Sequence, residues 1–317
     1  VYKLKVYKLP LATPQSKGKA LVNIFPLEPG ETIQTFMPLP EDEAKWDEMH
    51  IMFATSAGTV RRNDLSDFHD VRANGKIAMK LEEGDKLVGV RVCTESQHVL
   101  LSSFQGKCIR FPVDAIRVFK SRSSTGVRGM KLADGDYVVS MFILNGIKAT
   151  VEERDAYLKV APWKHGDYET PEAESESAAI TLSPERVKEL AENEEFILTL
   201  TENGYGKRTS AYEYRITNRG GSGITSIVTS KRNGNVVASM PVAGDGQIML
   251  MTDGGKLIRC PVHDIRIAGR NTQGVTIFRT GEDEKVVSAI ALNISASDSE
   301  GEGDSEDDAT DDSGAEE

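Results

Sequence analysis

"QIMLMTDGGKLIRCPVHDIRI", residues 247–267, is nearly a copy of "HVLLSSFQGKCIRFPVDAIRV", residues 98–118. In both, an apolar strand runs into a glycine turn, and a shorter strand carrying Lys and Arg comes back out. Pro-Val then opens a coil that ends on Ile-Arg. Looser copies begin at His50 ("HIMFATSAGTVRR") and at Phe196 ("FILTLTENGYGKRT"). The turn glycines read as Gly58, Gly106, Gly206 and Gly255, spaced 48, 100 and 49 residues apart, so the long interval is one repeat plus an insertion. Self-similarity at such a period marks a repeat architecture.

Each unit continues alike. A glycine loop follows: "SRSSTGVRGMKL", "NRGGSGITSI", "GRNTQGVTIF" and, more loosely, "VRANGKIAMKL" and "PQSKGKALVNI". These place loop glycines at Gly126, Gly223, Gly274, Gly75 and Gly18. A turn and a closing strand end every unit, as in "GDYVVSMFIL" and "EDEKVVSAIAL". Five repeats are visible, and the first lacks its opening strand and turn. Four short strands per unit with tight Gly/Asp/Asn turns predict an all-β, propeller-like pinwheel of stacked four-stranded blades. The expected domain is 1–294, interrupted by an insertion at 147–195 and followed by a disordered acidic tail at 295–317. Within the insertion, "SPERVKELAENEE" predicts a helix with Ser183 as N-cap and Pro184 in the first turn, laying Val187, Leu190 and Ala191 against a blade. The preceding "DYETPEAESESAA" reads as a mobile polar loop.

The net charge of −11 is unevenly placed. Ser295–Glu317 carries 11 acids and no base, and Ile147–Glu195 carries 13 acids against 6 bases. What remains has 32 basic and 25 acidic residues, a net of +7. A basic body with acidic appendages points to a polyanionic partner. The three cysteines, Cys93, Cys108 and Cys260, stand far apart in or beside apolar runs, with no Cys-x-x-Cys pair. Buried free thiols in a reducing cytoplasm are expected. No stretch approaches the length of a membrane-spanning helix.

Catalytic constellations are not found. "ENGYGKRT" lacks the spacing of a nucleotide phosphate loop, and the residues after it alternate like a strand instead of opening a helix. The histidines (His50, His69, His98, His165, His263) are isolated, without metal-ligand spacing. No Gly-x-Ser-x-Gly occurs. The basic residues, by contrast, recur in phase. Lys107 and Arg110 match Lys256 and Arg259. Lys207 and Arg208 lie at the equivalent turn of the fourth repeat, and Arg61 and Arg62 at that of the second. Arg117, Arg215 and Arg266 share one further phase. The glycine loops add Lys17, Lys19, Arg72, Lys76, Lys120, Arg122, Arg128, Arg219 and Arg270. Any one of these could merely solvate a strand end. As a periodic set they form a band suited to regularly spaced phosphates read without regard to sequence, with loop glycines admitting the backbone close to a phosphate. Aromatic residues are sparse in the loops, which argues against single-strand stacking.

"VYKLKVYKLP", "LVNIFPLEPGE", "FATSAGTVRR", "STGVRGMKLADGDYVVS", "NGYGKRT" and "GRNTQGV" together resemble the C-terminal domain family of the bacterial DNA gyrase A protein. The resemblance runs from Val1 to about Leu292, apart from the insertion. It implies a six-bladed β-pinwheel with strand exchange between blades, which wraps duplex DNA right-handedly on a basic rim so that the ATP-driven enzyme introduces negative supercoils. It further implies two protein partners, the N-terminal cleavage domain of the same polypeptide plus the gyrase B protein, in a cytoplasmic, nucleoid-associated enzyme, with this chain monomeric by itself. The family's catalytic tyrosine and nucleotide site, with ATP and Mg²⁺, lie elsewhere, so the resemblance brings no catalytic residue, metal or cofactor to this chain.

Three features depart from the family pattern. The signature box Q-R-R-G-G-K-G is absent, five repeats stand where six are expected, and the insertion breaks the spacing. The sixth repeat is expected upstream of Val1. The "GVRG" and "TQGV" loops look like degenerate copies of the box, which assigns Arg122, Arg128 and Arg270 to DNA. The alternatives are the C-terminal domain of topoisomerase IV, which also lacks the box, and a propeller scaffold for protein partners. The repeats carry no recurring Trp-Asp dipeptide that would favour the latter.

Overall fold

The computed structural model describes residues 1–13, 15–121, 124–164, 180–281 and 283–292. The second repeat supplies β1 (His50–Thr55), β2 (Thr59–Asp64) and β3 (Leu87–Cys93), and the third supplies β4 (His98–Ser103), β5 (Lys107–Pro112), β6 (Val127–Arg128) and β7 (Val138–Leu144). The insertion follows as helices α1 (Val151–Val160) and α2 (Pro184–Glu192). The fourth repeat gives β8 (Phe196–Thr201), β9 (Tyr205–Ser210), β10 (Ile224–Thr225) and β11 (Val236–Val242). The fifth gives β12 (Gln247–Thr252), β13 (Leu257–Pro261), β14 (Val275–Thr276) and β15 (Val286–Leu292).

The sheets do not respect the repeat boundaries. Their strand orders are β3-β1-β2-β6, β7-β4-β5-β10, β11-β8-β9-β14 and β15-β12-β13. We number these blades 2 to 5 after the repeat that supplies the first three strands. The outermost strand of blades 2, 3 and 4 comes from the next repeat, and its path is fixed by a parallel bridge just ahead of it: Arg62 to Val118, Arg110 to Ile216, and Arg208 to Ile267. Among the described residues blade 5 has no fourth strand. Residues 1–49 contain the closing half of a repeat, and those described form only short 3-10 turns.

Blades bury both faces against their neighbours, so β4 ("HVLLSS") is buried at every position instead of alternating. Met52, Val60, Leu101, Phe111 and Met141 fill one inter-blade layer; Leu100, Cys108, Leu144 and Tyr214 fill the next; Leu198, Leu200, Ile248 and Leu250 fill the third. In blade 5 the outward face is uncovered, leaving Met251, Leu257 and Ile290 exposed. The innermost strands β3, β7, β11 and β15 converge on a cavity of about 230 Å³. Cys93 and Cys108 are buried free thiols whose pKa desolvation pushes up to about 12, and Cys260 is free and half-buried.

The turn glycine of the fourth repeat is Gly204, not Gly206. Gly204 has φ of +73°, in the same left-handed region as Gly58, Gly106 and Gly255, whereas Gly206 is a strand residue buried between Leu200 and Ile277. The second glycine of "NGYGKRT" shifts the apparent register by two. Corrected, Arg62, Arg110, Arg208 and Arg259 all stand four residues after their turn glycine.

The insertion contributes two helices. The helix at Pro184 is present, with Ser183 Oγ accepting from the Arg186 N–H, and Leu190 is fully buried. α1 is an additional helix. Its capping box, Thr150 with Glu153, is visible in "TVEE". Glu194 fastens the insertion to blade 4: it accepts from Tyr157, Trp163 and Ser210, at 2.7, 2.9 and 2.5 Å. Burial raises its pKa against the pull of these donors. The acidic tail and "DYETPEAESESAA" lie outside the described residues.

Candidate nucleic-acid interface

The recurring cations divide by depth. Arg61 and Lys207, equivalent in register, are fully buried. Arg61 donates to the Ser124 Oγ at 2.7 Å, and Lys207 to the carbonyl of Arg270 at 2.8 Å and the Thr272 Oγ1 at 3.2 Å. Each reaches across the blade boundary into the glycine loop of the next repeat. Burial draws the Lys207 pKa down to about 7, with Glu213 opposing and Arg270 assisting the fall.

Arg62, Arg110 and Arg208 form a second row, also turned inward. Arg110 donates to His98 Nδ1 at 3.0 Å and to the carbonyl of Ala211 at 2.8 Å. Arg208 donates to the carbonyls of Ile265 and His263, at 2.7 and 3.2 Å. Arg62 pairs with Glu95 at 3.1 Å. Arg259, in the uncovered blade 5, is exposed and bonds Gln247, which occupies the place of His98.

A third pair clamps the exchanged strands. Arg219 donates to the carbonyl of Arg128 at 3.0 Å and Arg270 to that of Thr225 at 2.8 Å; Arg128 and Thr225 are the second residues of β6 and β10. Lys76 is likewise half-buried, capping the carbonyls of Asp67 and Asp70. Arg61, Arg62, Arg110 and Lys207, expected on a DNA-facing band, are therefore buried within the blade stack. Arg208, Arg219, Arg270 and Lys76 are partly buried, with their head groups turned onto carbonyls. A charge that is sequestered in this way must be hydrogen-bonded locally. Sequence periodicity marks which cations recur but not whether they point inward.

The exposed members are Lys17, Lys19, Arg72, Lys107, Arg117, Lys120, Arg128, Arg215, Lys256, Arg259 and Arg266. Lys120 pairs with Asp64 at 3.2 Å and Lys256 with Glu284 at 2.5 Å, which reduces their free charge. Arg122 lies outside the described residues. Arg117, Arg215 and Arg266, one per repeat at the same phase, all face solvent ahead of the exchanged strand, and Arg117 rests on the Phe119 ring at 4.1 Å. Arg128 is exposed on the exchanged strand β6 itself. Lys131, Lys231, Arg232 and Arg279 are further exposed cations along the same edges that the repeat alignment did not single out.

The loop glycines of the third, fourth and fifth repeats have a different task from the one expected. At Gly223 φ is +70°, and a Cβ there would run into the Cys108 carbonyl of the neighbouring strand. Gly126 and Gly274 press equally on Val60 and Gly206. They let the exchanged strand approach the next blade, so the close backbone contact they permit is intramolecular.

The family described as DNA gyrase C-terminal domain, beta-propeller, matches residues 1–40, 50–94, 97–145, 195–243 and 246–293. The chain belongs to this gyrase family. The five matched segments are the five repeats, and the long gap between them is the helical insertion. The chain is 54% identical over 301 residues to the DNA gyrase A protein of Rickettsia bellii, a match covering 95% of this chain and 33% of that protein. To the gyrase A protein of Escherichia coli it is 37% identical over 287 residues, covering 90% and 27%. The chain thus spans about a third of the length of these relatives. Among solved structures, the DNA gyrase A C-terminal domain aligns with a TM-score of 0.56 at 22% identity, covering 78% of this chain and 66% of that one. The topoisomerase IV C-terminal domain aligns at 0.66 and 20%, covering 90% and 74%. Likeness at that identity speaks for the fold, which the two enzymes share; the family match rests on the repeats.

Proposed function

We propose that this gyrase-family domain binds duplex DNA without sequence preference along its outer rim, where exchanged strands and their loops meet solvent. Catalysis is left to other parts of the enzyme. Held on a curved rim, the duplex wraps, and the whole enzyme uses the wrap to introduce negative supercoils. The observation that carries this reading is the exposed arginine of constant phase, Arg117, Arg215 and Arg266, on three consecutive repeats.

A rim of this kind meets the energetic demand. Bending a duplex of 20–30 base pairs by 40–90° costs of the order of 1–6 kcal/mol, so no single contact suffices and successive blades must each contribute. The inward rows make the rim stiff: with Arg110 and Lys207 fixing one blade to the next, the outward row keeps its spacing under load.

The test is charge reversal of Arg117, Arg128, Arg215 and Arg266 to Glu, which leaves the carbonyl-bound cations intact. Duplex binding should be lost with an unchanged melting transition, and supercoiling by the assembled enzyme should fail while relaxation persists. Unchanged duplex affinity would rule out the rim.

A further inference from the structure

One corner of blade 4 is built unlike its counterparts. Where the turn enters the innermost strand, blades 2, 3 and 5 carry an acid: Asp85, Asp136 and Glu284. Asp85 accepts from the N–H groups of Ala57 and Lys86, each at 2.9 Å, and Asp136 from those of Gln105 and Tyr137 at 2.9 and 3.0 Å. Glu284 pairs with Lys256. In blade 4 the same place is Gly234, where a Cβ would meet that of Glu202 at 2.9 Å. Glu202 reaches over from the hairpin and accepts the Asn235 N–H at 2.8 Å, and its charge is matched by Lys285 at 3.0 Å.

The turn's own residues, 229–235, thus include no acid but two bases. Lys231 and Arg232 sit at its tip, both exposed. The loop beneath them is held firmly. Asn233, fully buried, accepts from the Ser230 N–H at 2.8 Å and donates to the carbonyls of Val228 and Gln273 at 2.9 and 3.0 Å. Arg232 lies over the Tyr205 ring at 5.1 Å and donates to its hydroxyl at 3.2 Å. Tyr205 is the first residue of β9, paired with Thr276 of the exchanged strand β14, and Arg279 stands exposed three residues further on. Hydrogen bonds with Thr276 and Arg232, with the charge of Arg279 close by, hold the Tyr205 hydroxyl below its ordinary pKa. Among the described residues neither Lys231, Arg232 nor Arg279 forms an ion pair.

We propose that Arg232 and Arg279, beside the Tyr205 hydroxyl at the hairpin end of blade 4, together with Lys231 next to Arg232 on the exposed turn, form a phosphodiester-binding site for duplex DNA beyond the repeating arginine row. Two guanidinium groups and a hydroxyl suit the non-bridging oxygens of a backbone phosphate. Arg232 covers the tyrosine ring, so a stacked base is not the ligand. The site rests on the duplex-binding reading above and adds to it an off-row anchor found at one blade only.

The test uses this chain and a labelled duplex of mixed sequence, titrated at several salt concentrations. Lys231→Ser/Arg232→Ser/Arg279→Ser should weaken binding and flatten the dependence of log affinity on log salt by about 2–3, since each phosphate contact contributes about 0.9 to the slope. Tyr205→Phe, which keeps the ring, should weaken binding several-fold without altering that slope. Lys45→Ser/Lys159→Ser/Lys188→Ser, removing equal charge away from the corner, should leave the slope unchanged. An unaltered slope in the corner variant, while the parent chain binds duplex, overturns this site and leaves the rim standing. Failure of the parent chain to bind duplex at any salt overturns both. Displacement of the duplex by inorganic phosphate beyond an equal ionic strength of chloride would assign the corner to free phosphate instead.

Discussion

The ammonium of Lys207, in β9, donates to the carbonyl of Arg270 at 2.8 Å, so a cation of the fourth repeat ties down the glycine loop of the fifth. Arg61 plays the same part at the boundary between the second and third repeats, and Ile109 and Ile258 occupy the corresponding place in the other repeats. Lys207→Met should therefore leave loop carbonyls without a donor and cost about 1–3 kcal/mol by chemical denaturation. Its pKa of about 7 when folded means that the folded chain binds fewer protons than the unfolded one from there up to the ordinary lysine range. Stability should rise with pH across that window, and the rise should flatten in the variant. A flat difference between the two proteins would count against a titrating Lys207.

His98 offers a test on the acid side. Burial first, then Arg110 and Arg154, press its pKa down to about 4. Between that value and the ordinary histidine range the unfolded chain takes up a proton that the folded chain refuses, so stability falls as pH drops through this interval. Gln247 accepts from Arg259 at the equivalent position without titrating. His98→Gln should therefore match the parent at neutral pH and outlast it near pH 5, as read from melting temperatures at each pH.

Gly223→Ala should loosen the exchanged strand β10. The new Cβ would collide with the Cys108 carbonyl in a backbone region disfavoured for alanine, so a loss above about 2 kcal/mol is expected. Hydrogen exchange should quicken at Ile224 and Thr225. Gly244→Ala, with nothing within 4 Å of its Cβ, serves as the neutral comparison.

The segment Ser295–Glu317 carries 11 acids and no base on a chain whose body is otherwise basic. If it competes with DNA for the rim, its removal should raise duplex affinity at low salt, and the gain should fade as salt screens the competition. Equal affinities with and without it would leave the segment without a part in binding.

Much of the fold was legible because repetition averages out local ambiguity. "RFPVDAIRV" and "RCPVHDIRI" fixed the unit, and the family match falls on the same five segments. Strand exchange was not derivable from the spacing, since a two-residue strand such as Val275–Thr276 carries no pattern of its own and is defined only by the neighbour it joins. The recurrence of the cations is visible in the sequence but their depth is not, for a related reason. Arg110 and Arg117 look alike in sequence, but Arg110 points between blades and Arg117 into water. The departure at Lys231 and Arg232 does not show in the repeat pattern, because likeness between units passes over the one turn that differs.

A chain made from its N-terminus forward meets the exchanged strands late. β2 ends at Asp64, but the strand that completes its sheet begins at Val127, and β9 ends at Ser210 with its partner waiting until Val275. Blades 2, 3 and 4 therefore each stand with a raw edge during synthesis until the following repeat has left the ribosome, and each is closed by a stretch of only two residues. The domain matures as a travelling front, one unit behind its own translation.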